Sequence, residues 1–349
     1  MKIAALLSGG VDSSVALSLL RSEGHDVTAF YLKVWLEDEL SHLGTCPWEE
    51  DLRFAREVCR RLDVPLEVRS LQRPYWDRVV RYAISELEAG RTPSPDVLCN
   101  QHIKFGAFLD EIDSTFERVS SGHYARREEL SGRVLLKRGI DPVKDQTYFL
   151  SRLTQAQLAR ALFPLGGLAK PDVRRIAREM DLPNQDRRDS QGICFLGKIP
   201  YRDFVRHHLG EREGEIVDLE TRKVLGRHKG YWFHTIGQRE GLGLSHGPWF
   251  VQGKDVVRNV LYVAHADRLA ATSRESFEVE AVQWIADPPE RRELSVRVRH
   301  GRALHAATLD LAGDRGRVCL ESPDRGIASG QFAVFYDGEV CLGGAVIAA

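Results

Sequence analysis

Residues 2–7 are Lys-Ile-Ala-Ala-Leu-Leu, a short apolar run that stops at Ser8-Gly9-Gly10-Val11-Asp12-Ser13-Ser14. Such a run bounded by Ser-Gly-Gly suits a buried parallel strand. After it, Val15, Leu17, Leu19 and Leu20 alternate with small residues as far as Gly24, which suits a helix ended by a glycine. At the turn, glycines let the backbone approach an anion without a Cβ clash, and the helix start adds unpaired N–H groups and a positive dipole end. Ser8, Ser13 and Ser14 can add hydroxyl donors. The turn therefore reads as a loop that grips nucleotide phosphates. It lacks the Gly-Lys-[Ser/Thr] ending of a Walker A sequence. A bare Gly-Gly turn is the plainer alternative, but it would not call for this run of serines and an aspartate.

The alternation continues with a strand over Val27–Val34, an amphipathic helix over Glu49–Leu62 and a strand over Pro65–Ser70. That pattern predicts an α/β doubly wound parallel sheet. Beyond about residue 210 the chain changes to short β-branched and aromatic runs: Tyr231–Ile236, Val260–Ala264, Phe277–Trp284, Leu294–Val298 and Leu304–Leu311. A final hairpin is expected at Gln331–Tyr336, Asp337-Gly338 and Glu339–Leu342. At 349 residues the chain has length for several domains. We expect a catalytic α/β domain over 1–203, a small central β-rich domain over 204–270 and a C-terminal β-barrel over 271–349.

The net charge of -1 gives no whole-chain signature of nucleic-acid binding, so an RNA partner must be argued from segments. Arg291, Arg292, Arg297, Arg299 and Arg302 form the densest arginine cluster. They read either as a polar sheet face or, as we prefer, as a phosphate-binding surface. No apolar run reaches the roughly 20 residues of a membrane span, and the start lacks a signal-peptide cleavage site. A cytoplasmic protein with no membrane partner is expected.

Six cysteines, Cys46, Cys59, Cys99, Cys194, Cys319 and Cys341, include no Cys-x-x-Cys pair, so no structural metal is suggested. Most read as buried thiols. Two keep unusual company. Thr92-Pro93-Ser94-Pro95-Asp96-Val97-Leu98-Cys99-Asn100 cannot be helix until after its second proline, which predicts Asp96 and Cys99 on a stiff loop outside the core. A cysteine at a helix N-terminus is activated as a thiolate. Cys194 follows a glycine in the charged run Arg187-Arg188-Asp189-Ser190-Gln191-Gly192-Ile193.

Ser8–Ser14 resembles the loop of the PP-loop ATP pyrophosphatases, which holds the pyrophosphate released when ATP adenylates a substrate. With Gly90–Asn100, Ile103–Phe108, Gly122-His123-Tyr124, Lys144–Leu150, Leu162–Gly166, Asp189–Phe195, Thr235–Arg239 and Val334–Gly344, the chain is similar over essentially its full length to the tRNA-specific 2-thiouridylases.

That resemblance implies ATP-dependent sulfur transfer to C2 of the wobble uridine, position 34, in tRNAs for lysine, glutamate and glutamine. Cys194 would carry sulfane sulfur as a persulfide received from a sulfur-donor protein. Cys99 would be the nucleophile that completes transfer, through a transient Cys99–Cys194 disulfide or by releasing sulfide. Asp96 would be the acid/base, and Ser94, Pro95 and Asp96 would meet the flipped base. ATP would contact Leu6, Leu7, Ser8, Gly9, Gly10, Val11, Asp12, Ser13, Leu32 and Gly122, with Asp12 a possible Mg2+ contact. The tRNA would meet His123, Lys144, Asp145, Gln146, Arg299, His300 and Gln331. Departures from the family pattern include Leu32 for Met, Ser94 for Asn, Glu240 for Lys and His300 for Tyr. Two rivals are another PP-loop enzyme, making lysidine or amidating a carboxylate, and a non-catalytic RNA-binding relic.

Overall fold

The structure, a computed structural model, describes residues 1–34, 48–188 and 199–348. Cys46 and Cys194 lie outside the described residues. The chain opens with β1 (Lys2–Leu6), β2 (Asp26–Lys33), β3 (Leu66–Ser70) and β4 (Arg118–Ser120), then a hairpin of β5 (Ala125–Leu130) and β6 (Arg133–Arg138), then β7 (Ala161–Leu162). Five of these make a sheet in the order β3-β2-β1-β4-β7, with every pairing parallel.

The central strands β1 and β2 are largely apolar on both faces because helices cover both, whereas the edge strand β3 is mostly exposed. Ile3, Ala5 and Ala29 pack with Leu17, Leu20, Leu52 and Val58 of the Val11–Ser22 and Trp48–Leu62 helices. Ala4, Phe30 and Val119 point the other way, into a core built by Tyr75, Val79, Val97, Ile103, Phe105 and Phe108. Those residues come from two long helices, 72–88 and 95–111, each with a π-helical stretch. The doubly wound sheet is therefore as expected.

A helix at Tyr201–Leu209 leads to β8 (Gly214–Asp218), β9 (Val224–His228), β10 (Trp249–Asp255) and β11 (Val260–His265), which pair in the order β10-β11-β8-β9. Tyr231–Ile236 is not a strand. Tyr231–Phe233 is a 3-10 turn that follows Gly230 at φ 142°. Period-two alternation would expose one of three consecutive aromatics, whereas the turn buries Tyr231, Trp232 and Phe233 together.

The last strands are β12 (Arg274–Trp284), β13 (Glu293–Arg297), β14 (His305–Ala312), β15 (Arg315–Asp324), β16 (Phe332–Asp337) and β17 (Val340–Ile347). They run β12-β15-β14-β13-β16-β17, and β12 also pairs with β17, which closes a barrel. Its core holds Phe277, Val296, Leu309, Val318, Phe335 and Ile347. The expected β16–β17 hairpin is present, but it turns at Gly338-Glu339, one residue later than the sequence indicates, because Asp337 still pairs with Val340. Unexpectedly, β6 adds to β17 through Val340↔Lys137 and Cys341↔Leu136, so residues 125–138 belong to the barrel's sheet. No helix among the described residues is long and apolar enough to cross a membrane.

Candidate active site

The carboxyl ends of β1, β2 and β4 open onto a cleft of about 260 Å³, the position where open α/β sheets bind ligands. Leu6, Leu7, Ser8, Asp12, Ser13, Leu32 and Gly122 line it, and so does Cys99. Phe30, Tyr31 and Val34 extend its apolar side. One cleft thus joins the phosphate loop to one of the two singled-out cysteines. Gly9, Gly10 and Val11 are not among its lining residues. Val11 packs instead with Val15, Tyr124 and Leu165 beneath the loop.

Local chemistry shapes the loop. Gly9 has φ 76°, and a Cβ there would lie 2.3 Å from the Asp51 carbonyl oxygen, so only glycine fits. A Cβ on Gly122 would come within 2.9 Å of the Ser13 backbone nitrogen, so this glycine lets the end of the sheet press on the helix start. The Ser8 N–H donates to Ser13 Oγ at 3.2 Å, and Ser13 and Ser14 hydroxyls each donate to the Gly10 carbonyl at 3.0 Å. Asn184 donates to the Gly9 carbonyl (2.8 Å) and Ser14 Oγ (2.9 Å). Arg187 also reaches the Gly9 carbonyl, at 3.1 Å, while its other nitrogen pairs with Asp51.

Asp12 Oδ1 accepts from Tyr124 Oη at 2.9 Å and Lys170 Nζ at 2.6 Å. Sequence reasoning missed Lys170, which sits 158 positions from Asp12 at the start of the Lys170–Glu179 helix. No local motif marks it; the missing Walker lysine is only an indirect signal that a cation must come from elsewhere. Among the described residues no group of three or more His, Cys, Asp or Glu is placed to hold a metal ion.

Cys99 differs from expectation. The helix begins at Pro95, as proline at a first helical position allows, so Asp96 lies in the first turn and Cys99 one turn later. Cys99 is 2% exposed and belongs to the main core while lining the cleft. The spacing of four to Ile103 puts both on the cleft-facing side of one helix. Cys99 is thus a core residue that is also at the site. Ser94 and Pro95 are buried.

The residues expected at tRNA fall into two groups. His123 and Gln146 line the cleft itself. His123 Nδ1 lies 2.8 Å from Ser121 Oγ. Burial, with Lys104 nearby, pushes its pKa well below the usual range, which makes it a neutral ring. Gln146 Oε1 accepts from the Tyr124 N–H at 3.0 Å. Lys144 is half-buried, and its backbone N–H caps onto Asp141 at 3.2 Å.

Asp145 and the arginine cluster are otherwise engaged. Asp145 is buried and bonds Arg138 (3.1 Å), Thr147 Oγ1 (2.8 Å) and Arg297 (2.7 Å). Arg297 is itself fully buried, so it is not part of a phosphate-binding face. Arg291 pairs with Asp337 and Arg292 with Asp310, the latter at 3.5 Å. Arg299 makes two bonds to Asp324 at 2.6 and 2.9 Å. Arg297 thus drops out of the preferred phosphate surface, while Arg291, Arg292, Arg299 and Arg302 are exposed, the first three alongside these ion pairs. His300 stacks on Phe149 with ring centres 4.5 Å apart. The Gln331 amide donates to the Thr92 (3.1 Å) and Pro93 (2.9 Å) carbonyls.

Comparison with known proteins agrees with this arrangement along the whole chain. Three family models match in succession: the tRNA methyl transferase HUP domain over residues 1–198, the tRNA methyl transferase PRC-barrel domain over 202–265 and the aminomethyltransferase beta-barrel domain over 274–347. The tRNA-specific 2-thiouridylase MnmA of Parabacteroides distasonis is 44% identical over 99% of this chain and 99% of its own. MnmA 2 of Bacteroides fragilis is 45% identical over 98% and 99%, and MnmA of Porphyromonas gingivalis 43% over 99% and 99%. The chain belongs to the tRNA-specific 2-thiouridylase family.

Proposed function

We propose that this protein is an ATP-dependent tRNA uridine 2-sulfurtransferase that makes 2-thiouridine at the wobble position of tRNAs for lysine, glutamate and glutamine. The observation that carries this reading is the shared cleft, which the phosphate loop and Cys99 both line. Leu6, Leu32 and Val34 supply an apolar wall for adenine. Backbone N–H groups at the start of the Val11–Ser22 helix receive phosphate oxygens. Lys170 adds the positive charge that the loop lacks, beside Asp12.

The uridine O2 attacks the α-phosphorus of ATP and pyrophosphate leaves into the loop, so that C2 carries AMP as a leaving group. The terminal sulfur of a Cys194 persulfide, loaded by a sulfur-donor protein, attacks C2 and expels AMP. Cys99 then attacks the Cys194 sulfur, which breaks the S–S bond to the new thiocarbonyl and leaves a Cys99–Cys194 disulfide for an external thiol to reduce. Asp96, one turn from Cys99, handles the proton. Cys194 lies outside the described residues, so its half of this sequence rests on the resemblance of Asp189–Phe195 to the family motif.

Mg2+ would arrive on the ATP phosphates and help neutralise the departing pyrophosphate. Among the described residues it would find little beyond the second oxygen of Asp12, since Oδ1 already serves Lys170 and Tyr124. A cytoplasmic setting follows from the substrates. The test is the 2-thiouridine content of bulk tRNA in cells lacking this protein. We expect its loss, with restoration by the wild type but not by Cys194→Ser; unchanged 2-thiouridine would refute the function.

A further inference from the structure

The segment that would meet the target base is held from outside itself. Pro93 and Pro95 have no N–H to donate, and Ser94, at the helix N-cap, makes no side-chain capping bond. The restraint comes from the barrel, more than 230 positions away in sequence. The Thr92 N–H donates to the Ser329 carbonyl at 2.8 Å. The Gln331 amide donates to both the Thr92 and Pro93 carbonyls. Tyr82 Oη bonds the Gly330 carbonyl at 3.4 Å. Gly330 has φ 86°, and a Cβ there would come within 2.9 Å of the Thr92 carbonyl oxygen, so the approach requires glycine. The barrel side is anchored in turn: the Gly330 N–H donates to the Ile347 carbonyl (2.9 Å), and the Ile347 N–H to the Gln331 carbonyl (2.8 Å).

We infer that Gln331 is a positioning residue: clamped to the barrel, its amide sets the course of Thr92–Pro95 and so where Asp96 and Cys99 meet the uridine. A carboxamide has two N–H donors, and both carbonyls it bonds lie on this segment. RNA phosphates offer acceptors only, so Gln331 cannot serve them without releasing the segment. This inference rests on the reading of residues 94–99 as the target-base and nucleophile segment.

Two measurements test it. In single-turnover 2-thiouridine formation, Gln331→Glu keeps the shape but loses both donors, and Tyr82→Phe loosens the other strap. For Gln331→Glu we expect kcat to fall about tenfold or more while KM for tRNA stays within about twofold. A smaller loss of the same kind is expected for Tyr82→Phe. A raised KM with unchanged kcat and a shallower salt dependence would make Gln331 an RNA contact and overturn the inference. Amide hydrogen exchange across residues 92–100 gives a readout that needs no sulfur chemistry. It should speed up in Gln331→Glu with the barrel strands unchanged; unaltered exchange overturns the latch whether or not the thiouridylase reading stands. If wild type makes no 2-thiouridine yet exchange responds, the functional reading fails and the latch survives.

Discussion

The phosphate loop and the barrel's contacts with the rest of the chain differ in how far their bonds reach along the sequence. In the loop, Ser8 to Ser14 hold one another through hydrogen bonds spanning five residues or fewer, and Gly9 accepts a backbone shape that other residues rarely adopt. In the barrel, Gln331, Arg297 and Arg299 act through partners that are distant in sequence: Thr92, Asp145 and Asp324. A part built from local bonds survives as a recognisable string. A part built from tertiary bonds can be any residue with the right donor at the right place, and its string says little.

The sharpest break between the two comes from Gly9→Ala. The new Cβ meets the Asp51 carbonyl and sits at an unfavourable φ, so the loop must shift. We expect tRNA-dependent pyrophosphate release to fall about a hundredfold or more, since small displacements of reacting groups cost that much. The barrel should stay folded, which circular dichroism can check. Near-normal release would mean that the loop does not depend on its local geometry.

Next in size is Asp145→Ala, which breaks the tie between the barrel and the Lys144–Leu150 segment. It strands the fully buried Arg297, and removing one partner of a buried pair costs about 3–5 kcal/mol. Urea denaturation should show that loss. A change confined to tRNA affinity would instead return Asp145 to the role of RNA contact.

Lys254 in the central domain sharpens the contrast, because its buried Nζ has no hydrogen-bond partner among the described residues. Burial pushes its pKa down from 10.5 to about 8. Between those values the unfolded lysine binds more protons than the folded one, so the Lys254 contribution to stability rises as pH climbs from about 8 to about 10.5, against the opposite trend from buried thiols and phenols such as Cys59 and Tyr82. Lys254→Met should remove that rise and stabilise the protein at pH 7 by on the order of 2–3 kcal/mol. Melting curves of wild type and Lys254→Met across this window decide it; a difference between the two that does not change with pH would contradict the burial argument.

The smallest effect is expected for Arg299→Ala. Its two bonds to Asp324 occupy the guanidinium, so tRNA affinity should change less than about threefold, with a salt slope lowered by less than one unit. A full unit would restore Arg299 as a phosphate contact.

These residues also show what the chain's spelling reveals. The strand–loop–helix start, the parallel sheet and the β16–β17 hairpin are periodic or turn-coded over a few residues, so they could be read directly. The joining of β5 and β6 to the barrel could not, because Leu136 meets Cys341 across 205 positions. Lys170 is invisible for the same reason. Arg297 misled because the density of arginines in a stretch does not say which of them are wet, and here an acid from another segment pairs with it in the interior. Cys99 misled differently: its proline-rich approach looks like surface loop, yet Pro95 starts a helix whose cleft-facing side is also core.

The account's central claim is that one cleft runs adenylation at the phosphate loop and sulfur transfer at Cys99. Its most direct test is Cys99→Ser, mixed with ATP, tRNA and a persulfide donor, with pyrophosphate and 2-thiouridine measured in the same single turnover. The account predicts pyrophosphate at close to the wild-type rate and no detectable 2-thiouridine. Normal 2-thiouridine formation by Cys99→Ser would contradict it.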